Sequence, residues 1–237
     1  DQRRVAFAQN SFTEPPEVHA GVLGTAPPPA VTSINAGLRQ TWGKAKSVEW
    51  DNGGMHVQGW LMYPADYDPH KTYPMIVYVH GGPSSAHLPT WTSNASAYSE
   101  FGYFVLMPNP RGSFGEGEAF AQAIRNQMGY GDLDDILAGV DAVEKLAPID
   151  DRRLGLTGWS YGGFMSMFAP TRTNRFKAAV AGAGISNWQS YYGQNQIDKW
   201  MIPFFGASLY DDPAAYAKSS AINFIKHART PSLIVVG

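Results

Sequence analysis

The sequence predicts an α/β fold built on a mostly parallel sheet, and three observations carry the prediction. Short, almost unbroken apolar runs recur along the chain, a helical apolar period lies between two of them, and a glycine-rich turn joins one run to a second helical segment. The runs are 75–79 (MIVYV), 103–107 (YFVLM), 154–157 (LGLT), 178–181 (AAVA) and 233–236 (LIVV). Continuous apolarity over four or five residues suits strands covered by helices on both faces, which is the condition of a parallel sheet. With 237 residues, 44% of them apolar, one large domain can bury a full core.

In chain order, residues 4–8 (RVAFA) form an apolar run, 10–16 a polar turn and 17–23 a second run, which together make one hairpin. Two short strands cannot bury both faces alone, so residues 1–40 read as the last piece of a sheet-rich domain followed by the linker Ala26-Pro27-Pro28-Pro29-Ala30. The domain boundary is expected near residue 40, and 41–237 as one α/β domain. Alternation over 56–62 (HVQGWLM) predicts a half-exposed outer strand. Leu133, Ile136, Leu137, Val140, Val143 and Leu146 recur at helical spacing, with Asp132 to cap the start and Pro148 to mark the stop. Asp211-Asp212-Pro213 reads as another helix start, and 222–228 (INFIKHA) as a helix leading into the last run. No repeat at a fixed period is present.

Composition narrows the function. A formal charge of −2, with acids and bases interspersed, offers no basic stripe for nucleic acid and no polybasic membrane anchor, so neither is expected as a partner. No apolar run approaches the roughly 18 residues of a membrane span, and Asp1-Gln2-Arg3-Arg4 is followed by no apolar signal region, so the opening reads like mid-protein sequence. The absence of cysteine excludes disulfides and a thiol nucleophile but leaves a cytoplasmic or a periplasmic location open. No His/Asp/Glu group has ligand spacing, so no metal and no organic cofactor is implied. A homo-oligomer is compatible with all of this.

The chemistry-bearing motif follows the run at 154–157. Gly158-Trp159-Ser160-Tyr161-Gly162-Gly163 satisfies G-x-S-x-G between a strand and a helical segment at 164–170, the context of the nucleophile elbow of an α/β-hydrolase fold. Ser160 is the expected nucleophile. The Tyr161 N–H, at a helix start, is an expected donor to the negative oxygen that develops on an attacked carbonyl. The run at 75–79 ends in His80-Gly81-Gly82-Pro83, the position of the loop that completes an oxyanion hole, and Gly82 is the expected second donor. His80 lies upstream of the serine and is read as a loop-fixing residue, not the general base. The only histidine after Ser160 is His227, in a helical stretch, while Asp198, Asp211 and Asp212 read as solvated or capping groups. The acid and histidine of a triad are therefore expected beyond Gly237, in a domain truncated at its C-terminus, and the isolated chain is expected to be inactive.

Taken together the motifs resemble the prolyl oligopeptidase family of serine peptidases, especially its acylaminoacyl-peptidase and dipeptidyl-peptidase branches. The resemblance is carried by Gly59-Trp60-Leu61 with Tyr63-Pro64, His80-Gly81-Gly82-Pro83, Asn109-Pro110-Arg111-Gly112-Ser113 with Gly115 and Gly117, Gly131-Asp132 with Asp135, and the segment around Ser160. It implies that residues 1–40 are the closing strands of a β-propeller plus linker, that Ser160 attacks with Gly82 and Tyr161 as donors, and that short peptides are the substrates. It also implies an aromatic pocket within 185–192 (ISNWQSYY), which makes Trp188 and Tyr191 candidate substrate contacts, although an aromatic pair at this spacing serves packing equally well. Arg111 is a third candidate contact, with the alternative that it ties its loop to carbonyls or carboxylates. A carboxylesterase-type hydrolase and a catalytically incomplete module kept for binding are the rival readings.

Overall fold

The computed structural model describes residues 3–24, 26–91 and 94–236; Asp1, Gln2 and Gly237, at the two ends of the expected domains, lie outside them. Among the described residues, β1 (Arg4–Gln9) and β2 (Glu17–Val22) pair antiparallel as a separate hairpin. A seven-stranded sheet contains β3 (Ala45–Asn52), β4 (Met55–Met62), β5 (Tyr73–Val79), β6 (Phe104–Asn109), β7 (Ile149–Trp159), β8 (Ala178–Gly182) and β9 (Ser232–Val235) in the order β3-β4-β6-β5-β7-β8-β9. The β3–β4 and β4–β6 pairs are antiparallel, and the pairs from β6 through β5, β7 and β8 to β9 are parallel. All five apolar runs fall in the parallel part. Every residue of β6 is buried. β8 and β9 depart from the expectation of strands covered on both faces: Ala178 and Val180 of β8 are exposed, and Leu233 and Ile234 of β9 are 60% and 57% exposed.

The outer strand is β3, not 56–62 as the alternation suggested. Only Val48 and Trp50 of β3 are buried, so its sequence, AKSVEWDN, carries too few apolar residues to be read as a strand. β4 lies inside it against β6, and Gly59 makes the close approach feasible: a Cβ there would stand 2.9 Å from the Met107 carbonyl oxygen and 3.0 Å from the Trp50 ring.

The helices are α1 (Asn94–Glu100), α2 (Glu118–Gln122), α3 (Gly131–Glu144), α4 (Tyr161–Phe168), α5 (Trp188–Gln194), α6 (Met201–Phe205) and α7 (Pro213–Ser219). α3 buries Leu133, Ile136, Val140 and Val143, as the spacing required. Two expectations about it are corrected. It ends before Leu146, which is 63% exposed, and Asp132 does not cap it but sits inside its first turn with the side chain turned into the core. Asp212 does cap α7, accepting from Ala215 N at 3.1 Å, with Pro213 at the first helical position.

The main core lies between the sheet and α3, α4, α5 and α6. A smaller cluster contains Phe12, Trp42, Met62, Ala95, Val105 and Met107. The turn of the hairpin reaches into it: the Phe12 ring is 5.2 Å from Trp60, and Trp42 Nε1 donates to the Phe12 carbonyl at 3.1 Å.

Candidate active site

Ser160 stands alone between the end of β7 and the start of α4, with φ 58° and ψ −113°. Residues other than glycine rarely adopt such a conformation, which costs on the order of 1–3 kcal/mol and persists only where the surroundings over-determine it. Ser160 N donates to the Gly182 carbonyl at 2.9 Å, and Phe164 N donates to the Ser160 carbonyl at 2.8 Å. The glycines let three backbones meet around it. A Cβ on Gly158 would lie 2.5 Å from the Val79 oxygen, and one on Gly163 would lie 2.2 Å from the Gly182 oxygen. The start of α4 is thus wedged between β5 and β8, and Ser160 is left half-exposed above the sheet.

The loop after β5 lies on this turn. A Cβ on Gly81 would stand 3.5 Å from the Ser160 Cβ and 3.3 Å from the Trp159 oxygen. Gly82 has φ +127°, and a Cβ there would fall 2.6 Å from Ser84 N, so the position requires glycine. Among the described residues, neither the Gly82 N–H nor the Tyr161 N–H donates to a protein acceptor. The loop itself is pinned. His80 Nδ1 donates to the Gly81 carbonyl at 2.7 Å, which leaves Nε2 to accept from the Ser113 hydroxyl at 2.9 Å. His87 Nε2 donates to the Tyr78 carbonyl at 2.8 Å, and His87 N donates to Asn109 Oδ1 at 2.7 Å. Burial lowers the pKa of His80, and burial with the neighbouring His80 pushes His87 down to about 3, so both rings are neutral supports at ordinary pH.

The side-chain candidates separate from the backbone ones. Trp188 is fully buried, with its ring 5.1 Å from Phe164 and 5.5 Å from Phe205, so it packs the core beneath the site and presents no surface. Tyr191, half-buried and 5.8 Å from Trp188, keeps some accessible area. For Arg111 the contacts favour the second of its two readings, a residue that ties its loop down. Its Nε and Nη2 donate to Asp135 of α3 at 2.8 and 2.7 Å, its N–H donates to the same carboxylate at 2.8 Å, and Nη2 also donates to the Asn52 carbonyl at 3.3 Å. A two-pronged pair this buried, with side chains 11% and 0% exposed, holds the loop after β6 to α3 and leaves little of the guanidinium to greet a substrate.

One residue was missed as a site neighbour. Asp132, read as a cap, lies fully buried behind Ser160 and accepts a hydrogen bond from the Tyr161 hydroxyl at 2.5 Å. Burial is the main cause that pushes its carboxyl up to about 7, against the Tyr161 hydroxyl and the amides of Leu133 and Asp132, which pull it down. The signal available in sequence was an acid one turn before the paired Asp135 on an otherwise apolar helix face.

His227 is no partner for Ser160. It is exposed at the end of a 3₁₀ segment, Ala221–His227, that precedes β9, and Ser232 of β9 pairs with Ala179 at the beginning of β8. It therefore lies at the N-terminal edge of the parallel strands, whereas Ser160 follows the C-terminal end of β7. Among the described residues no group of three His, Asp or Glu side chains could hold a metal ion, and no helix is long and apolar enough to cross a membrane.

Comparison with known proteins bears on the family and the fold. The family model described as the prolyl oligopeptidase family matches residues 89–237. An uncharacterized peptidase of Bacillus subtilis, YuxL, is 39% identical over 78% of the chain and 28% of its own length. Dipeptidyl-peptidase 5 of Porphyromonas endodontalis is 30% identical over 97% of the chain and 35% of its own length. Among solved structures, the uncomplexed acylaminoacyl peptidase of Pyrococcus horikoshii superposes with a TM-score of 0.90 at 28% identity, over 98% of the chain and 38% of that protein. The chain thus spans about a third of the length of the curated relatives it matches.

Proposed function

Because the chain belongs to the prolyl oligopeptidase family, we propose that the protein is a serine peptidase that cleaves short peptides through a seryl acyl-enzyme, with Ser160 as the nucleophile. The observation that carries the reading is the Ser160 turn, held at φ 58° against the loop at Gly81, with the amides of Gly82 and Tyr161 donating to no acceptor among the described residues. On this reading the Ser160 Oγ attacks the scissile carbonyl carbon while a general base takes its proton. The carbonyl π electrons move to oxygen, where the Gly82 and Tyr161 N–H groups donate to the developing alkoxide. Collapse expels the amine, which leaves with the proton held by the base, and water hydrolyses the ester by the same steps in reverse order. The names of the relatives, a dipeptidyl-peptidase and an acylaminoacyl peptidase, support short peptides as substrates. Residues 1–40 are assigned on the same reading to closing strands of a β-propeller and a linker, which the separate β1–β2 sheet supports.

A fluorophosphonate probe tests the proposal on the full-length protein. Labelling that disappears in Ser160→Ala, with hydrolysis of peptide amides lost in parallel, is the expected result. Turnover that survives Ser160→Ala would remove the nucleophile assignment, and cleavage of p-nitrophenyl esters without any peptide amide would remove the peptidase.

A further inference from the structure

Tyr161 connects two parts of the molecule that the reaction needs together. Its main chain carries one of the two amides beside Ser160, and its hydroxyl donates to Asp132 Oδ2 on α3 at 2.5 Å. Both residues are buried, at 2% and 0% exposure. The second carboxylate oxygen, Asp132 Oδ1, is buried with no hydrogen-bond partner among the described residues. A polar atom in that condition weakens the fold, and an apolar pair of similar shape would fill the space without the loss. Asp135, one turn further along α3, has Arg111 as its counter-ion; Asp132 has no ion pair among the described residues, and apart from the amides of its own turn its carboxylate is met by the Tyr161 hydroxyl. A local rule broken this plainly next to a strained nucleophile turn points to a use in the reaction. The route is short. The Tyr161 ring packs 5.1 Å from Phe164 and 6.4 Å from Trp188, so anchoring its hydroxyl fixes the Cα–Cβ direction and, with it, the peptide plane that presents the N–H.

We propose that Asp132 is a positioning residue for acyl transfer, acting through the Tyr161 hydroxyl to hold the Tyr161 N–H in line with the oxyanion. The proposal rests on Ser160 being the nucleophile. Its contribution is made when charge appears on the carbonyl oxygen, so it acts on kcat and leaves KM in place.

The test uses the full-length protein carrying Tyr161→Phe, Asp132→Ala, Asp132→Asn or Tyr161→Phe with Asp132→Ala, with kcat and KM measured on one peptide amide. Rates are normalised to active sites titrated with a fluorophosphonate, so that unfolded molecules do not count. Tyr161→Phe and Asp132→Ala are each expected to lower kcat by about 10- to 100-fold with KM within about threefold, because a donor is misaligned but not removed. Asparagine retains an acceptor for the Tyr161 hydroxyl and is expected to recover most of the alanine loss. The double variant is expected to be no slower than the slower single variant, since both break one link. A kcat per titrated site within about twofold of the parent in Tyr161→Phe and Asp132→Ala would overturn the proposal, as would losses that multiply in the double variant. Ser160→Ala keeps the two claims apart: surviving turnover there removes the nucleophile assignment, whereas a dead Ser160→Ala beside fully active Tyr161→Phe and Asp132→Ala removes only the role of Asp132.

Discussion

The Cβ that Gly162 lacks would fall 2.1 Å from the carbonyl oxygen of Val79. No side-chain rotation relieves a clash between backbone and Cβ, so Gly162→Ala must push α4 away from β5 and carry the Ser160 turn with it. The expected cost is about 3 kcal/mol or more of stability, at the severe end for single substitutions. Gly193→Ala is the control, because a Cβ there meets nothing within 4 Å. Urea unfolding of the two variants checks the contrast; equal midpoints would show that the close approach around the turn is not as tight as described.

Much of this was legible in the sequence, for identifiable reasons. Apolar runs mark β5, β6 and β7 because the sheet is covered there, and Gly158 and Gly162 announce the turn because no other residue fits; β8 carries an apolar run although Val180 is 38% exposed. β3 was not legible, since an edge strand with two buried side chains, Val48 and Trp50, leaves almost no apolar signature. Asp132 was misread because an acid at a helix start has the same local pattern whether it caps the helix or turns inward. Only the partner, Tyr161, 29 positions away along the chain, distinguishes the two. Arg111 was ambiguous for the same reason, its meaning resting on Asp135, 24 positions away.

The backbone at Ser160 gives a second expectation. A serine held at φ 58° and ψ −113° is strained in a way glycine is not. Ser160→Ala and Ser160→Gly should both be silent toward a fluorophosphonate, but the glycine variant should be more stable than the alanine variant by about 1 kcal/mol. Thermal unfolding of the pair measures this difference directly. An alanine variant as stable as the glycine one would mean that the turn is not strained.

Arg111 supplies the third. Removing one member of its pair with Asp135 strands a charge in the interior, so Arg111→Ala is expected to cost about 3–5 kcal/mol. Lysine cannot reproduce the two donations at 2.8 and 2.7 Å and should recover only part of the loss. Replacing both residues, as in Arg111→Met with Asp135→Leu, should be far milder than Arg111→Ala alone. Because the guanidinium serves the loop after β6, KM for a peptide amide should stay close to the parent value in whatever fraction of Arg111→Lys is folded. A large rise in KM at unchanged stability would return Arg111 to the substrate contacts.

The last expectation concerns pH and follows from the carboxyl of Asp132, which sits at about 7 in the fold against an ordinary value of 3.8. Between those values the folded protein binds a proton that the unfolded chain releases, so stability falls as pH rises through that window and levels off above it. The largest effect this allows is about 4 kcal/mol, from roughly three pKa units at 1.36 kcal/mol each. Below pH 4 both states hold the proton and the penalty vanishes. Asp132→Asn cannot ionise, and every other titrating group is shared with the parent, so the stability of the variant relative to the parent should improve steadily from pH 4 to pH 7. Urea denaturation at pH 5 and pH 8 on both proteins gives this difference with the common background removed. Parallel stability curves would mean that Asp132 ionises at its ordinary value, and therefore that solvent or a counter-charge reaches it inside the fold.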